Sequence, residues 1–369
     1  MPNPLQQLTH LGQSAWYDFI TRDLIRSGEL ARLIREDSLR GMTSNPTIFE
    51  KAVAASKDYD EDIRALAKAG TAPEAIVEAL MIADVRAAAD VFRPVYDSSG
   101  HGDGTVSIEV SPTLAFDTQG TIDAARRIWK TIDRPNVMVK IPATEAGLPA
   151  IRQCLSDGIN INITLLFSVD RYRQVIEAFK SGLEARAAAG LPVSTLHSVA
   201  SFFVSRVDGQ TDPELSKAGD RGKALIHKLA IANARVAYQV FGGSLMTPRW
   251  QALAARGAKA QRPLWASTST KDPSLPDVYY IEALIAPDTI NTIPPDTFRA
   301  YIDHGNPEVR ITPASEIEAA GMLDAYGKLG VSPLAERTAF LEADGVKKFS
   351  ESWNALLDRV KQKASALAA

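Results

Sequence analysis

Short apolar runs alternate with longer stretches of helical periodicity along this chain. The runs at Ala15–Ile20, Gly41–Pro46, Thr105–Val110, Val137–Pro142, Ile159–Phe167, Leu196–Val204, Arg262–Thr268 and Asp288–Ile293 have the length and β-branched content of buried strands. Between them, Asp23–Asp37, Asp58–Gly70, Pro73–Val95, Thr121–Ile132, Ala146–Ser156, Ser168–Ala189, Gly222–Val240 and Thr247–Gly257 carry apolar residues at helical spacing. The second strand is expected to stop at Pro46, Asp208–Gly219 to be a polar loop, Gly242-Gly243 to end a helix, and Val346–Leu367 to form an amphipathic terminal helix. Strands alternating with helices imply right-handed crossovers and a parallel sheet, and eight of them fit a closed (β/α)8 TIM barrel. A doubly wound open sheet is the alternative. It needs a nucleotide loop, and GxGxxG and GxxxxGK[ST] are both absent, while the glycine cluster Gly100–Gly104 precedes its strand instead of following one. The expectation is one barrel domain over residues 1–369, with 296–369 a mostly helical extension packed on it.

The bulk numbers narrow the function. Of 369 residues, 45% are hydrophobic and 23% charged, which is enough for a large core. A net charge of −3 with both signs scattered argues against nucleic acid or a membrane surface as partner, so an anionic ligand needs a local basic site. The one cysteine, Cys154, excludes an internal disulfide framework and a cysteine-built metal site. The five histidines have no metal-ligand spacing, and neither metal nor other cofactor is expected. No basic start with an apolar core opens the chain, and no run approaches the ~20 residues of a membrane span, so a cytoplasmic location is expected. Monomer and homodimer both stay open.

The polar residues inside the strands carry the chemistry. Lys140 interrupts the apolar run Val137–Pro142. Lysine is almost never buried without a partner or a task, and desolvation disfavours an ammonium. A neutral amine is a nucleophile for carbonyls and forms Schiff bases. The competing reading is a lysine that snorkels to water or serves a structural ion pair, with Glu109 as its simplest partner. Other strands break the apolar rule late as well: Asp18, Thr43-Ser44-Asn45, Glu109, Asn162 with Thr164, Ser201 followed by Arg206, and Ser267. Carboxyl ends of barrel strands converge on one mouth, where active sites lie. A satisfied polar core layer is the alternative.

Together these residues suit cleavage of a carbon–carbon bond beside a lysine iminium. Asp18, with Glu109 second, is placed to take the proton of the departing carbinol. Glu109 and Thr164 are suited to handle the water lost and regained at the imine. Asn45 and Asn162 can fix substrate hydroxyls and the lysine. Arg206 offers a planar fork for a phosphate, unless it pairs with Asp208 in the loop, and Ser201, Ser267 and Lys271 can add donors.

At this point the chain resembles the transaldolase family, in its longer bacterial form. The resemblance rests on GQSAWYD (Gly12–Asp18), TSNPTIF (Thr43–Phe49), SIEVSP (Ser107–Pro112), VMVKIPAT (Val137–Thr144), GININITLLFS (Gly158–Ser168), SVASFFVSRVD (Ser198–Asp208), RPLWAST (Arg262–Thr268) and IAPDTINTIP (Ile285–Pro294). It runs from about Leu11 to about Leu357. It implies a metal-free aldolase-type barrel of the pentose phosphate pathway that moves a dihydroxyacetone unit between sugar phosphates. Lys140 then resembles the Schiff-base lysine, Asp18 the proton-transfer aspartate, and Glu109 with Thr164 the water-handling pair. Asn45, Asn162, Ser201 and Phe203 resemble substrate-pocket residues, and Arg206 a phosphate-binding arginine. The sequence departs from the pattern at Phe19, where the subgroup often has asparagine, and at Ser269, where glycine is common. Lys271 stands near the place where shorter members have a phosphate-binding arginine. A fructose-6-phosphate aldolase-like enzyme that releases dihydroxyacetone, and a catalytically silent sugar-phosphate-binding barrel, are the rival functions.

Overall fold

The computed structural model describes residues 3–368; residues 1, 2 and 369, the ends of the expected 1–369 unit, lie outside the described residues. Strands β1 (Gln13–Asp18), β2 (Gly41–Thr43), β3 (Thr105–Glu109), β4 (Val137–Pro142), β5 (Ile161–Leu166), β6 (Ser198–Phe203), β7 (Arg262–Ala266) and β8 (Thr289–Ile293) close into a barrel in sequence order, β8 pairing with β1, every pair parallel. The strands are almost wholly buried because helices cover the outside and side chains fill the inside. Trp16 and Trp265 are among the largest fully buried side chains. Burial of such a side chain contributes roughly 1.5–3 kcal/mol or more.

The narrow interior shows at Gly41. It pairs with Trp16, and a Cβ at this position would run into the indole ring. Gly41→Ala is therefore expected to destabilise the fold by about 1–3 kcal/mol, the usual range for overpacking. Thermal melting with the cavity residues unchanged would read this, and a wild-type Tm would contradict it.

Several local expectations change. The segment around 208–219 is not a loop: it folds as the helix Arg206–Leu215, with Val207, Thr211 and Leu215 turned inward. Two of its polar residues, Asp208 and Thr211, are buried with the apolar ones, so a polar composition with Gly209 and Pro213 hid the helical spacing. Gly222–Val240 divides into the helices Gly219–Lys223 and Leu229–Leu245, and Gly242-Gly243 lie inside the second instead of ending it. Asp23–Asp37 breaks at Gly28, whose φ of 83° is left-handed. Pro46 does not merely stop β2. It opens the helix Pro46–Ala55, where a missing N–H is harmless, and the Asn45 side chain caps that helix by accepting from the Ile48 N–H at 3.0 Å.

The terminal helix is longer than its amphipathic stretch and runs Leu334–Ala368. It packs on the helices Pro46–Ala55, Asp60–Lys68 and Pro73–Ser98 and also touches β5. Thr47 and Ser352 share a hydroxyl hydrogen bond of 2.7 Å, and Lys363 reaches Asp60 at 2.7 Å. At β5 the pairing with β6 shifts between Ile163 and Leu166. Leu165 sits there at φ 54°, an uncommon conformation for leucine, and its side chain packs against Gly345 of the terminal helix. The bulge brings the residues at the end of β5 under the terminal helix.

Candidate active site

Register across the barrel sets the centre of the site. Glu109 of β3 is the Cα partner of Lys140 on β4, which is the partner of Asn162 on β5. Side chains two apart share a face, so Ser107 with Glu109, Met138 with Lys140, and Asn162 with Thr164 form stacked pairs. Lys140 is 4% exposed. Its Nζ donates to the Ser44 carbonyl at 3.0 Å and lies 3.3 Å from Glu109 Oε2. That second approach is a charge contact outside hydrogen-bond alignment, and both Glu109 oxygens lack a hydrogen-bond partner. Burial pushes the Glu109 carboxyl above its ordinary pKa, against the pull of the Lys140 charge. The Thr164 hydroxyl is likewise buried without a partner.

Asp18, at the end of β1, faces the same space. Its Oδ1 accepts from the Thr43 hydroxyl at 2.6 Å. Burial raises its pKa, opposed first by the Lys140 charge and then by the Thr43 hydrogen bond. Asn162 is fully buried, and its two ends serve a polar layer beneath the lysine: Nδ2 donates to Ser107 Oγ at 3.0 Å and Oδ1 accepts from Ser201 Oγ at 2.7 Å. Ser44 Oγ adds a bond to the Ser107 carbonyl at 2.8 Å.

Above this layer lies a cavity of about 240 Å³. Asp18, Lys140, Asn45, Thr164, Ser201, Phe203, Arg206, Ser267 and Lys271 all reach its wall. Glu109 and Asn162 do not; they stand behind Lys140 and Ser201. Arg206 is the first residue of the helix Arg206–Leu215, and its guanidinium lies 5.1 Å over the Phe203 ring. Among the described residues it has no carboxylate within ion-pair distance, and its buried Nη1 has no hydrogen-bond partner. The pairing with Asp208 does not form. Asp208 accepts instead from the Ala230 N–H at 2.7 Å and the Tyr280 hydroxyl at 2.9 Å, and burial pushes its pKa up to about 7. Ser267 is left-handed at φ 57°, which turns its hydroxyl toward Ser205 at 3.1 Å. Lys271 is exposed at the rim.

Other wall residues have no assigned role in the sequence. Thr43 was visible in the TSNP run but without a role of its own. Thr292 of β8 and Lys51 of the helix Pro46–Ala55 also reach the cavity, as does Phe349 from the terminal helix. No local pattern announces Phe349, because only the packing of the chain's end over the barrel mouth brings it there. Among the described residues, no group of three or more His, Cys, Asp or Glu side chains is gathered as a metal site. Nor is any helix among them long and apolar enough to cross a membrane.

Barrel enzymes keep their chemistry at the carboxyl ends of the strands, and this cavity puts the chain in that class. Residues 15–360 match the family described as transaldolase/fructose-6-phosphate aldolase. The chain is 50% identical to a transaldolase of Parafrankia over all of both chains, 50% identical to one of Frankia alni over 98% of each, and 49% identical to one of Thermobifida fusca over 99% of this chain and all of that one. The chain belongs to the transaldolase/fructose-6-phosphate aldolase family and is an enzyme, a transferase.

Proposed function

We propose that the enzyme transfers a dihydroxyacetone unit from sedoheptulose 7-phosphate to glyceraldehyde 3-phosphate through a Lys140 Schiff base, giving erythrose 4-phosphate and fructose 6-phosphate in the cytoplasm. The observation that carries this reading is the buried Lys140–Glu109 pair, whose lysine reaches the cavity wall beside Asp18 while the carboxylate stands behind it. Glu109, whose proton affinity is raised by burial, takes a proton from the Lys140 ammonium. The amine adds to the ketone carbon. Loss of water leaves an iminium, with Glu109 and the unpartnered Thr164 hydroxyl placed to hold the water and pass protons. Asp18 takes the proton of the hydroxyl on the carbon beyond the breaking bond. The bond's electron pair moves into the iminium and leaves an enamine on Lys140, and the aldose departs. The enamine then attacks the acceptor aldehyde, Asp18 returns its proton to the new hydroxyl, and water releases the product.

Asn45, Ser201 and Phe203 line the sugar's path, with Asn162 fixing Ser201 from behind. Arg206, Ser267 and Lys271 form the polar end suited to a phosphate. Borohydride reduction in the presence of fructose 6-phosphate is expected to leave a covalent three-carbon or six-carbon adduct on Lys140, located by mass spectrometry. A folded protein with no adduct would count against the lysine route and favour the silent barrel. The family's description also covers aldolase activity. Fructose 6-phosphate consumption is expected to depend on added erythrose 4-phosphate; equal rates without it would favour release of dihydroxyacetone over transfer.

A further inference from the structure

The hydroxyl that touches Asp18 is itself held. Thr43 Oγ1 lies 2.6 Å from Asp18 Oδ1 and 2.6 Å from Thr292 Oγ1. Thr43 and Thr292 are 2% and 3% exposed, and both border the cavity. Each hydroxyl has one proton to donate. An ionised Asp18 only accepts, so the Thr43 proton points to Asp18, and the Thr292 proton must then point to Thr43. The chain Thr292→Thr43→Asp18 is thereby fixed in one direction. It occupies Oδ1 and leaves Oδ2 as the lone-pair oxygen open to substrate. The backbone holds it in place: Thr43 is the Cα partner of Asp18 across β1–β2, and Thr292 is the partner of Trp16, two residues earlier, across β1–β8.

We propose that Thr292 and Thr43 form a positioning relay that orients the Asp18 carboxylate and stabilises its ionised form for proton abstraction. This inference rests on the assignment of Asp18 as the base of the proposed reaction. The charged groups around Asp18 are Lys140 from β4, Glu109 from β3, Arg206 from the helix Arg206–Leu215, and Lys51 and Lys271 at the cavity wall. The cations among them favour the carboxylate, and Glu109 opposes it. Burial raises the Asp18 pKa, and the Thr43 hydrogen bond works against that rise. Removal of the hydroxyl thus moves the Asp18 pKa further up.

The test compares wild type with Thr43→Val, Thr43→Ser and Thr292→Val. In Thr43→Val, kcat is expected to fall about tenfold to a hundredfold, the size of a hydrogen bond to a charged group. The acid limb of its kcat/KM profile is expected to move up by about one pH unit. Thr292→Val should move both quantities in the same direction by less, because Thr43 keeps its bond to Asp18 but loses the donor that fixes it. Thr43→Ser should restore both. Unshifted acid limbs in Thr43→Val and Thr292→Val overturn the relay, as does a Thr43→Ser enzyme no better than Thr43→Val. Borohydride trapping on Lys140 separates the two levels. Trapping that persists in the valine variants while cleavage slows supports the relay, whereas a wild type that forms no adduct removes the underlying reading instead.

Discussion

Lys140→Met is expected to lower turnover by about four orders of magnitude or more, since the variant has no amine for the proposed covalent intermediate, through which the other groups of the site are proposed to act. Turnover tests the nucleophile, and the effect on stability tests the Lys140–Glu109 charge pair. Loss of the cation leaves Glu109, 2% exposed, without its counter-charge. Breaking a buried pair in this way destabilises by about 3–5 kcal/mol when the remaining group stays charged. Glu109 already has a folded-state pKa above its ordinary value, and without Lys140 it rises further. A carboxyl with a raised folded pKa binds more protons folded than unfolded between the two pKa values. Stability therefore falls as pH rises through that window. Lys140→Met should melt well below wild type at pH 8, and the gap should narrow as pH falls and Glu109 becomes protonated. The double variant Lys140→Met/Glu109→Gln should regain most of the lost stability at pH 8 and none of the activity. Near wild-type turnover in Lys140→Met contradicts the nucleophile assignment. A melting difference that does not change with pH contradicts the charge argument.

The barrel was legible because each strand is a short β-branched run between longer helical periods, and such a run has few other homes. The polar residues late in those runs were legible as a group for the same reason: Asp18, Lys140 and Thr164 stand out against apolar neighbours, and all three reach the cavity. Depth was not legible. Glu109 and Lys140 look alike in sequence and are Cα partners across β3–β4, yet only the amine reaches the cavity and the carboxylate stands behind it. Asn162 likewise looks like a wall residue and instead joins Ser107 to Ser201 beneath it. The environment of Arg206 is undecided in the sequence between a phosphate and an ion pair, because Asp208, two residues on, looks like a loop partner. In a helix, residues two apart point to different sides, so Asp208 turns to Ala230 and Tyr280. The contribution of the terminal helix had no local signal at all, since Phe349 is apolar and belongs to an ordinary amphipathic pattern.

That environment makes Arg206 the source of the second large effect. Its guanidinium is desolvated enough to lower its pKa, with only the more distant charges of Asp344 and Asp18 in its favour. One nitrogen is buried without an acceptor. A half-buried cation left in this state destabilises the free protein, and it is tolerated where an anionic ligand completes it. Substrate phosphate would supply the missing acceptors as charge-assisted bonds, each contributing about 1.5–3 kcal/mol. Arg206→Met keeps the packing on Phe203 and removes the charge. Its kcat/KM for phosphorylated substrates is expected to fall about a hundredfold to a thousandfold, mostly through KM, with Lys140 still trapped by borohydride at saturating ketose. Its Tm should equal or exceed that of wild type, because the desolvated charge is removed and no hydrogen bond or ion pair of the described residues goes with it, only the weaker contact with the Phe203 ring. Arg206→Lys should recover little, since an ammonium cannot present the same planar fork. An unchanged KM would remove Arg206 from the phosphate site, and a lowered Tm would mean that the free protein satisfies this charge after all.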